Sequence, residues 1–87
     1  MSTPTIEIYT QYGCPFCVRA VALLKAKAVP FTEIDVTLDG SKRREMEARK
    51  PGARTVPQVF VNDVPLGGCD DIYALDAEGK LDAVLGL

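Results

Sequence analysis

The chain has 87 residues, of which 47% are hydrophobic and 25% charged, with a formal net charge of −2. This length predicts one domain over residues 1–87, and the weakly negative charge argues against a nucleic-acid-binding protein. No apolar run approaches the roughly 20 residues that span a bilayer, and the N-terminus does not resemble a signal peptide, so we expect no membrane association and a cytoplasmic location.

The first third of the chain predicts a strand, a helix and a second strand. Residues 5–10 alternate between β-branched or aromatic and polar side chains, as do residues 31–36, which is typical of strands. Between them, residues 16–28 form an apolar, alanine-rich run that predicts a helix buried on most sides, with Pro15 tolerated in its first turn. Two strands joined by a helix in this way are expected to lie parallel with a right-handed crossover.

A short, highly charged helix is predicted over residues 42–50. Asp39 and Ser41 are both candidates for its N-cap, because their side-chain oxygens can accept from free backbone N–H groups. The inward face of this helix is assigned to Met46 and Ala48.

The rest of the chain predicts a hairpin and two helices. Residues 58–61 and 64–66 form the hairpin, and Pro65 places the second strand at an edge of the sheet because proline cannot donate to a ladder. Residues 70–77 predict a helix, and residues 81–87 a short terminal one. The order βαβαββα, with an antiparallel hairpin after a parallel unit, indicates an α/β three-layer sandwich with a mixed four-stranded sheet.

Three cysteines and no histidine narrow the chemistry. An odd, small number of cysteines does not fit a secreted disulfide scaffold, and in a reducing compartment a close pair is more often catalytic or metal-binding. Tetrahedral zinc needs four ligands, whereas Cys14 and Cys17 have only Cys69 to join them, so no metal site is expected. The pair is therefore interpreted as redox-active.

The spacing of Cys14 and Cys17 suits disulfide exchange, in which the thiolate is the nucleophile. Cys14 directly precedes the predicted helix, where free backbone N–H groups and the positive end of the helix dipole favour a negative sulfur. Cys17 lies about one turn further on, close enough to donate its S–H to that thiolate and later to attack a mixed disulfide. We therefore expect Cys14 to attack and Cys17 to resolve.

Four segments spread over nearly the whole chain resemble the glutaredoxin family. They are Tyr9-Thr10, Cys14-Pro15-Phe16-Cys17, Thr55-Val56-Pro57-Gln58-Val59-Phe60 and Gly67-Gly68-Cys69-Asp70-Asp71. The resemblance implies a thioredoxin-like fold and a glutathione-disulfide oxidoreductase that reduces protein disulfides and glutathione mixed disulfides. Glutathione would be the reducing co-substrate, with no bound cofactor, and the partners of the monomer would be glutathione and disulfide-containing or glutathionylated proteins.

The resemblance also implies a glutathione site. The family's proline in the Thr-Val-Pro segment is cis and faces the cysteine pair, so Pro57 is predicted to be cis. The paired glycines allow close backbone approach, and the following helix start presents N–H groups to a carboxylate. Asp70 or Asp71 would accept from the ligand's ammonium group or cap the helix, and Cys69 is otherwise expected to be a packed small residue. The predicted contacts are Gln11, Phe16, Thr55, Val56, Pro57, Gly68, Cys69, Asp70 and Asp71.

At two positions of that site the sequence departs from the family pattern. Phe16 stands where tyrosine is commoner, and Gln11 stands where many members have a lysine that helps both the thiolate and the glycyl carboxylate. Arg49, Lys50 and Arg54 are candidates to supply the missing charge, although a charge run in a short helix is usually its solvated face.

Two other functions compete with glutathione-dependent reduction. One is a redoxin recharged by a flavoprotein reductase, against which the Gly-Gly-Cys-Asp-Asp segment argues. The other is a dimer that binds an iron–sulfur cluster through Cys14 and two glutathiones. Cluster binding usually accompanies a residue smaller than Pro15 and a lone active-site cysteine, so the enzyme is favoured.

Overall fold

The structure, a computed structural model, describes residues 4–87, within which a four-stranded sheet is flanked by four helices. The strand order is β2-β1-β3-β4, with β1 and β2 parallel and the other neighbours antiparallel, which confirms the predicted mixed sheet. The terminal helix is shorter than predicted. In chain order the elements are β1 (Ile6–Thr10), α1 (Pro15–Ala26), β2 (Thr32–Asp35), α2 (Gly40–Arg49), β3 (Gln58–Val61), β4 (Val64–Gly67), α3 (Cys69–Ala77) and α4 (Leu81–Val84).

Side chains of the two central strands alternate between the faces of the sheet and so build two cores. On one face, Ile6 and Ile8 of β1 belong to a cluster that includes buried side chains of α1, α3 and α4. On the other face, Tyr9 of β1 and Phe60 of β3 pack with Met46 of α2. The sheet therefore lies between two helical layers, as expected for the predicted three-layer sandwich.

Helix α1 has a single buried face, so the prediction that it is buried on most sides is wrong. Its buried residues are Cys17, Ala20, Leu23 and Leu24. Val18 is 68% exposed although it is one residue from buried Cys17. The apolar residues of this run have little helical periodicity. Its apolar composition alone therefore does not show that one face of this outer-layer helix remains in solvent.

Asp39, rather than Ser41, is the N-cap of α2. Its carboxylate accepts from the backbone N–H of Lys42 at 3.0 Å, while the Ser41 hydroxyl donates to the same carboxylate. Met46 is fully buried as predicted, but Ala48 is exposed and its assignment to the inward face is wrong. Two residues correspond to about 200° around a helix, so these side chains cannot share one face.

Strands β3 and β4 form the predicted hairpin, joined through Asn62 and Asp63, which both have positive φ angles of 50° and 66°. Left-handed backbone at both turn positions matches the twist of a tight hairpin and suits these residue types. Pro65 lies in β4 at the edge of the sheet, as predicted. No helix of the described residues is long and apolar enough to cross a membrane.

Candidate active site

The first turn of α1 carries the cysteine pair, with Cys14 as its N-cap and Pro15 as its first helical residue. The sequence Gly13-Cys14-Pro15 produces this corner because Gly13 supplies a φ of +76° and proline is preset for the start of a helix. Cys14 is extended, and its sulfur accepts from the backbone N–H of Cys17 at 3.2 Å. A sulfur in a capping position receives an otherwise free N–H and the positive end of the dipole, both of which favour a thiolate.

The two sulfurs of the pair differ in their access to solvent. Cys14 is partly exposed, whereas Cys17 is only 3% exposed. Burial, followed by the hydrogen bond with Cys14, raises the pKa of Cys17 from 9.0 to about 12. Cys17 is therefore a protonated thiol at neutral pH, and Cys14 is the sulfur that an incoming disulfide can reach.

The segment before β3 lies against Cys14. The Val56–Pro57 peptide bond is cis, as the family resemblance implied, and Pro57 is buried. The Cys14 thiol donates to the carbonyl of Val56 across 3.8 Å. The backbone of this segment is thus within direct reach of the Cys14 sulfur.

A chain of polar contacts from the end of α2 holds the segment before β3 in place. The Lys50 ammonium at the end of α2 donates to the Gln58 side-chain oxygen at 3.1 Å. The amide nitrogen of Gln58 in turn donates to the Thr55 carbonyl at 3.0 Å. Gln58 was not among the predicted site residues, and its position directly after Thr-Val-Pro is the signal that could have identified it.

Helix α3 begins on the other side of Pro57. The Asp71 carboxylate accepts from the backbone N–H of Gly68 at 2.8 Å, so Asp71 caps this helix. A Cβ atom on Gly68 would lie 3.2 Å from the Pro57 carbonyl oxygen, which explains a glycine at this close approach. Asp70 is exposed, whereas Cys69 is 4% exposed and burial raises the pKa of its thiol.

These segments enclose a cavity of about 510 Å³ beside Cys14, which we call the Pro57 cavity. Every predicted glutathione contact except Gln11 lines it, and of the candidate basic residues Lys50 does so. Gln11 lies elsewhere, where its side-chain oxygen accepts from the Arg43 guanidinium at 3.0 Å. The residues lining the cavity are Phe16, Lys50, Thr55, Val56, Pro57, Gln58, Gly68, Cys69, Asp70 and Asp71.

Arg49 is held away from this cavity in a cluster of its own. Its guanidinium contacts the Glu7 carboxylate at 2.8 Å and the Asp63 carboxylate at 2.9 Å, and donates to the Tyr9 hydroxyl at 3.0 Å. It also lies 4.2 Å from the ring centre of Phe60, as a cation–π pair. Arg49 therefore fastens α2 to the sheet.

Metal-ligating side chains are not clustered in the part of the chain that the structure describes. Within residues 4–87, no group of three or more histidine, cysteine, aspartate or glutamate side chains is arranged to hold a metal ion.

The mixed sheet, the cysteine pair at the start of the first helix and the cis proline beside it are features of thioredoxin-like thiol–disulfide oxidoreductases. The glutaredoxin family model matches residues 6–66, and the chain belongs to this family. It is 56% identical over 80 residues to a probable glutaredoxin of Synechocystis, covering 92% of this chain and 91% of that protein.

Solved structures agree with this assignment. The solution structure of a glutaredoxin from Brucella melitensis has a TM-score of 0.84 and 49% identity, covering 98% of this chain and 91% of that one. The crystal structure of a buckwheat glutaredoxin–glutathione complex has a TM-score of 0.81 and 26% identity, covering 95% of this chain and 77% of that one.

Proposed function

We propose that this glutaredoxin is a glutathione-dependent oxidoreductase that reduces protein disulfides and glutathione mixed disulfides through Cys14 and Cys17. The observation that carries the proposal is the Pro57 cavity, which opens beside the partly exposed sulfur of Cys14 and is lined by charges of both signs.

Glutathione is a zwitterionic tripeptide with one ammonium group and two carboxylates around a central thiol. In the Pro57 cavity, Lys50 offers a positive charge for one carboxylate, and the start of α3 offers backbone N–H groups for the other. Asp70 is exposed and accepts the ammonium group, since Asp71 is engaged at Gly68. The solved buckwheat complex, a structural neighbour of this chain, supports glutathione as the ligand.

In the first step the Cys14 thiolate attacks the disulfide of a substrate. A new bond forms between the Cys14 sulfur and one substrate sulfur, while the substrate's own S–S bond breaks and its second sulfur leaves as a thiolate. The N–H of Cys17 that caps the Cys14 sulfur stabilises the attacking anion. The Cys17 thiol is not the nucleophile of this step because it is protonated and buried.

In the second step the mixed disulfide on Cys14 is resolved. If the bound group is glutathione, a second glutathione thiolate attacks it and restores the Cys14 thiolate while oxidised glutathione leaves. If the bound group is a protein, Cys17 attacks the Cys14 sulfur, and the protein thiolate leaves as the Cys14–Cys17 disulfide forms. Two glutathione molecules then reduce that disulfide.

Serine variants of the two cysteines test these separate roles. We expect Cys14→Ser to abolish turnover of both glutathionylated peptides and protein disulfides, because the thiols of Cys17 and Cys69 are both buried. We expect Cys17→Ser to keep most activity on the glutathionylated peptide and to lose protein-disulfide reduction. Full deglutathionylation by the Cys14→Ser protein would contradict the proposal.

The use of glutathione is tested with a cavity variant and two reductants. Lys50→Met is expected to raise KM for glutathione by about tenfold or more, since a charged hydrogen bond contributes roughly 1.5–3 kcal/mol and about 1.4 kcal/mol corresponds to a factor of ten. Lys42→Met is the matched control, because Lys42 is an exposed lysine of the same helix and does not line the cavity. Turnover that requires a flavoprotein reductase and is indifferent to glutathione would overturn glutathione dependence.

We also propose that the chain acts as a monomer in the cytoplasm. Every group assigned to the reaction comes from one chain, and a dithiol that glutathione regenerates needs a reducing compartment. Sedimentation of the reduced protein with and without glutathione measures the oligomeric state.

A further inference from the structure

A second cavity lies next to the cysteine pair, between α1 and the parallel strands β1 and β2. Its volume is about 480 Å³, and it shares no lining residue with the Pro57 cavity. We call it the Glu33 cavity. Its lining includes Thr10, Cys17 and Glu33. Cys17 is thus the member of the pair that borders this cavity.

The resolving step requires that Cys17 lose a proton. Its thiol is buried, and burial, the hydrogen bond with Cys14 and the charge of Glu33 all raise its pKa. Once Cys14 carries a substrate, its sulfur is no longer a thiolate and cannot take that proton. The chain has no histidine to act as a base near neutral pH. A carboxylate in the Glu33 cavity is the alternative that the structure provides.

Glu33 is oriented by a buried hydroxyl. Thr10, which is 3% exposed at the end of β1, donates its hydroxyl to Oε2 of Glu33 at 2.9 Å. The parallel register of β1 and β2 produces this contact, since Ile8 pairs with Glu33 and Thr10 with Asp35. The carboxylate is therefore held at the cavity that Cys17 borders, and the cavity is large enough for water to connect the two groups.

Three other ionisable side chains line the same cavity: Tyr12, Lys25 and Asp35. Asp35 accepts from both the backbone N–H and the hydroxyl of Thr37, and these bonds lower its pKa. The Asp35 carboxylate is thereby engaged by Thr37 and held towards the loop after β2. The Lys25 ammonium has hydrogen-bond donors and no acceptor, so it is not a candidate base.

We propose that Glu33 accepts the proton of Cys17, through water in the Glu33 cavity, as Cys17 attacks the mixed disulfide on Cys14. The Cys17 S–H proton passes to the carboxylate, the Cys14–Cys17 bond forms, and the bond from Cys14 to the substrate breaks. The substrate sulfur leaves as a thiolate with the bonding electron pair, and the Glu33 carboxylic acid then loses its proton to solvent. This inference deepens the function proposed above and depends on its Cys17-resolved route.

A chromogenic disulfide separates the two sulfur attacks in one experiment. Reduced protein is mixed rapidly with a small excess of dithiobis(nitrobenzoate), and release of the yellow thiolate is followed by absorbance. Attack by Cys14 releases the first equivalent, and attack by Cys17 on the mixed disulfide releases the second. The phase that disappears in Cys17→Ser identifies the Cys17 step.

We expect Glu33→Gln to slow the second phase at least tenfold and to leave the first within twofold of wild type, since a general base typically contributes 10²–10⁴-fold. The second-phase rate in wild type should fall in acid as the Glu33 carboxylate is protonated, whereas in Glu33→Gln it should rise steadily with hydroxide. Glu33→Asp should recover part of the rate. Asp35→Asn, the matched carboxylate of the same cavity, should leave both phases within twofold.

Two results would overturn the proposal. A second phase in Glu33→Gln within twofold of wild type, with an unchanged pH profile, would show that Glu33 takes no proton. Equal slowing of both phases would show that it acts on Cys14 or on the fold instead. The assay contains no glutathione, so a failure here is distinct from a failure of glutathione dependence.

Discussion

Replacing either aspartate at the start of α3 should separate helix capping from ligand binding. Asp71 accepts from the Gly68 N–H at 2.8 Å, whereas Asp70 is exposed in the first turn. Asp71→Ala loses a capping hydrogen bond worth about 1 kcal/mol together with its interaction with the helix dipole. Asp70→Ala loses only the dipole interaction, about 0.3–0.5 kcal/mol at an exposed site.

The two variants should therefore differ by about 1 kcal/mol in the free energy of unfolding. For a domain of this size that corresponds to a difference in Tm of about 4–8 °C, with Asp71→Ala the less stable. Thermal unfolding of the reduced proteins, followed by far-ultraviolet circular dichroism, measures it. Equal melting temperatures would refute the assignment of the cap to Asp71.

The same pair tests the assignment of Asp70 to the ligand. We expect Asp70→Ala to raise KM for a glutathionylated peptide more than Asp71→Ala does, when both are assayed well below their melting temperatures. A larger KM effect from Asp71→Ala would instead mean that the capping carboxylate also binds the ammonium group.

Three further results are expected from the burial and charge of named groups. Iodoacetamide at pH 7 should alkylate Cys14 and spare Cys17 and Cys69, because these two thiols are buried and have raised pKa values. Peptide mass spectrometry measures the labelling of each cysteine, and equal labelling of all three would contradict this expectation. The free energy of unfolding should fall as pH rises from 9 to 12. The Cys17 thiol has a pKa of 9.0 in the unfolded chain and of about 12 in the folded protein, so its ionisation favours the unfolded state over this range. Cys17→Ala should show a smaller fall. Arg49→Met should destabilise by about 2 kcal/mol in urea unfolding, whereas exposed Arg44→Met should stay within about 0.5 kcal/mol, and equal effects would contradict the cluster.

Local sequence signals predicted the parts of the fold that depend on neighbouring residues. Pro15 indicated where α1 begins, and so where Cys14 lies relative to the helix. Pro65 indicated an edge strand, because its missing N–H has the same effect in any sheet. The position of Cys14 at the start of α1 could therefore be derived before any tertiary contact was known.

Contacts between distant residues could not be derived in this way. Arg49 and Glu7 are 42 positions apart, and the charge pattern of α2 alone made Arg49 appear to be a solvated residue or a ligand contact. Gln11 was expected at the glutathione site, yet its place depends on Arg43, which lies 32 positions away on α2. Side chains of this length are placed by tertiary packing, which periodicity does not encode.

The same limit applies to the acid–base chemistry of the pair. The spacing of the cysteines predicted that Cys17 resolves, but it did not show that its proton needs an acceptor. The neighbourhood of Glu33 exists only once β2 lies parallel to β1 and the Thr10 hydroxyl reaches across the two strands. The cysteine motif alone therefore does not identify the group that would accept the Cys17 proton.

The two edge strands of the sheet affect the tendency of this chain to aggregate at high concentration. β2 and β4 are its two edges, and each has only four residues. Glu33 and Asp35 place negative charge along one edge, and Pro65 removes a donor from the other, which are common protections against strand-to-strand aggregation. Glu33→Gln removes part of that charge and would also weaken this protection against aggregation. The variant is therefore best compared with wild type at low protein concentration.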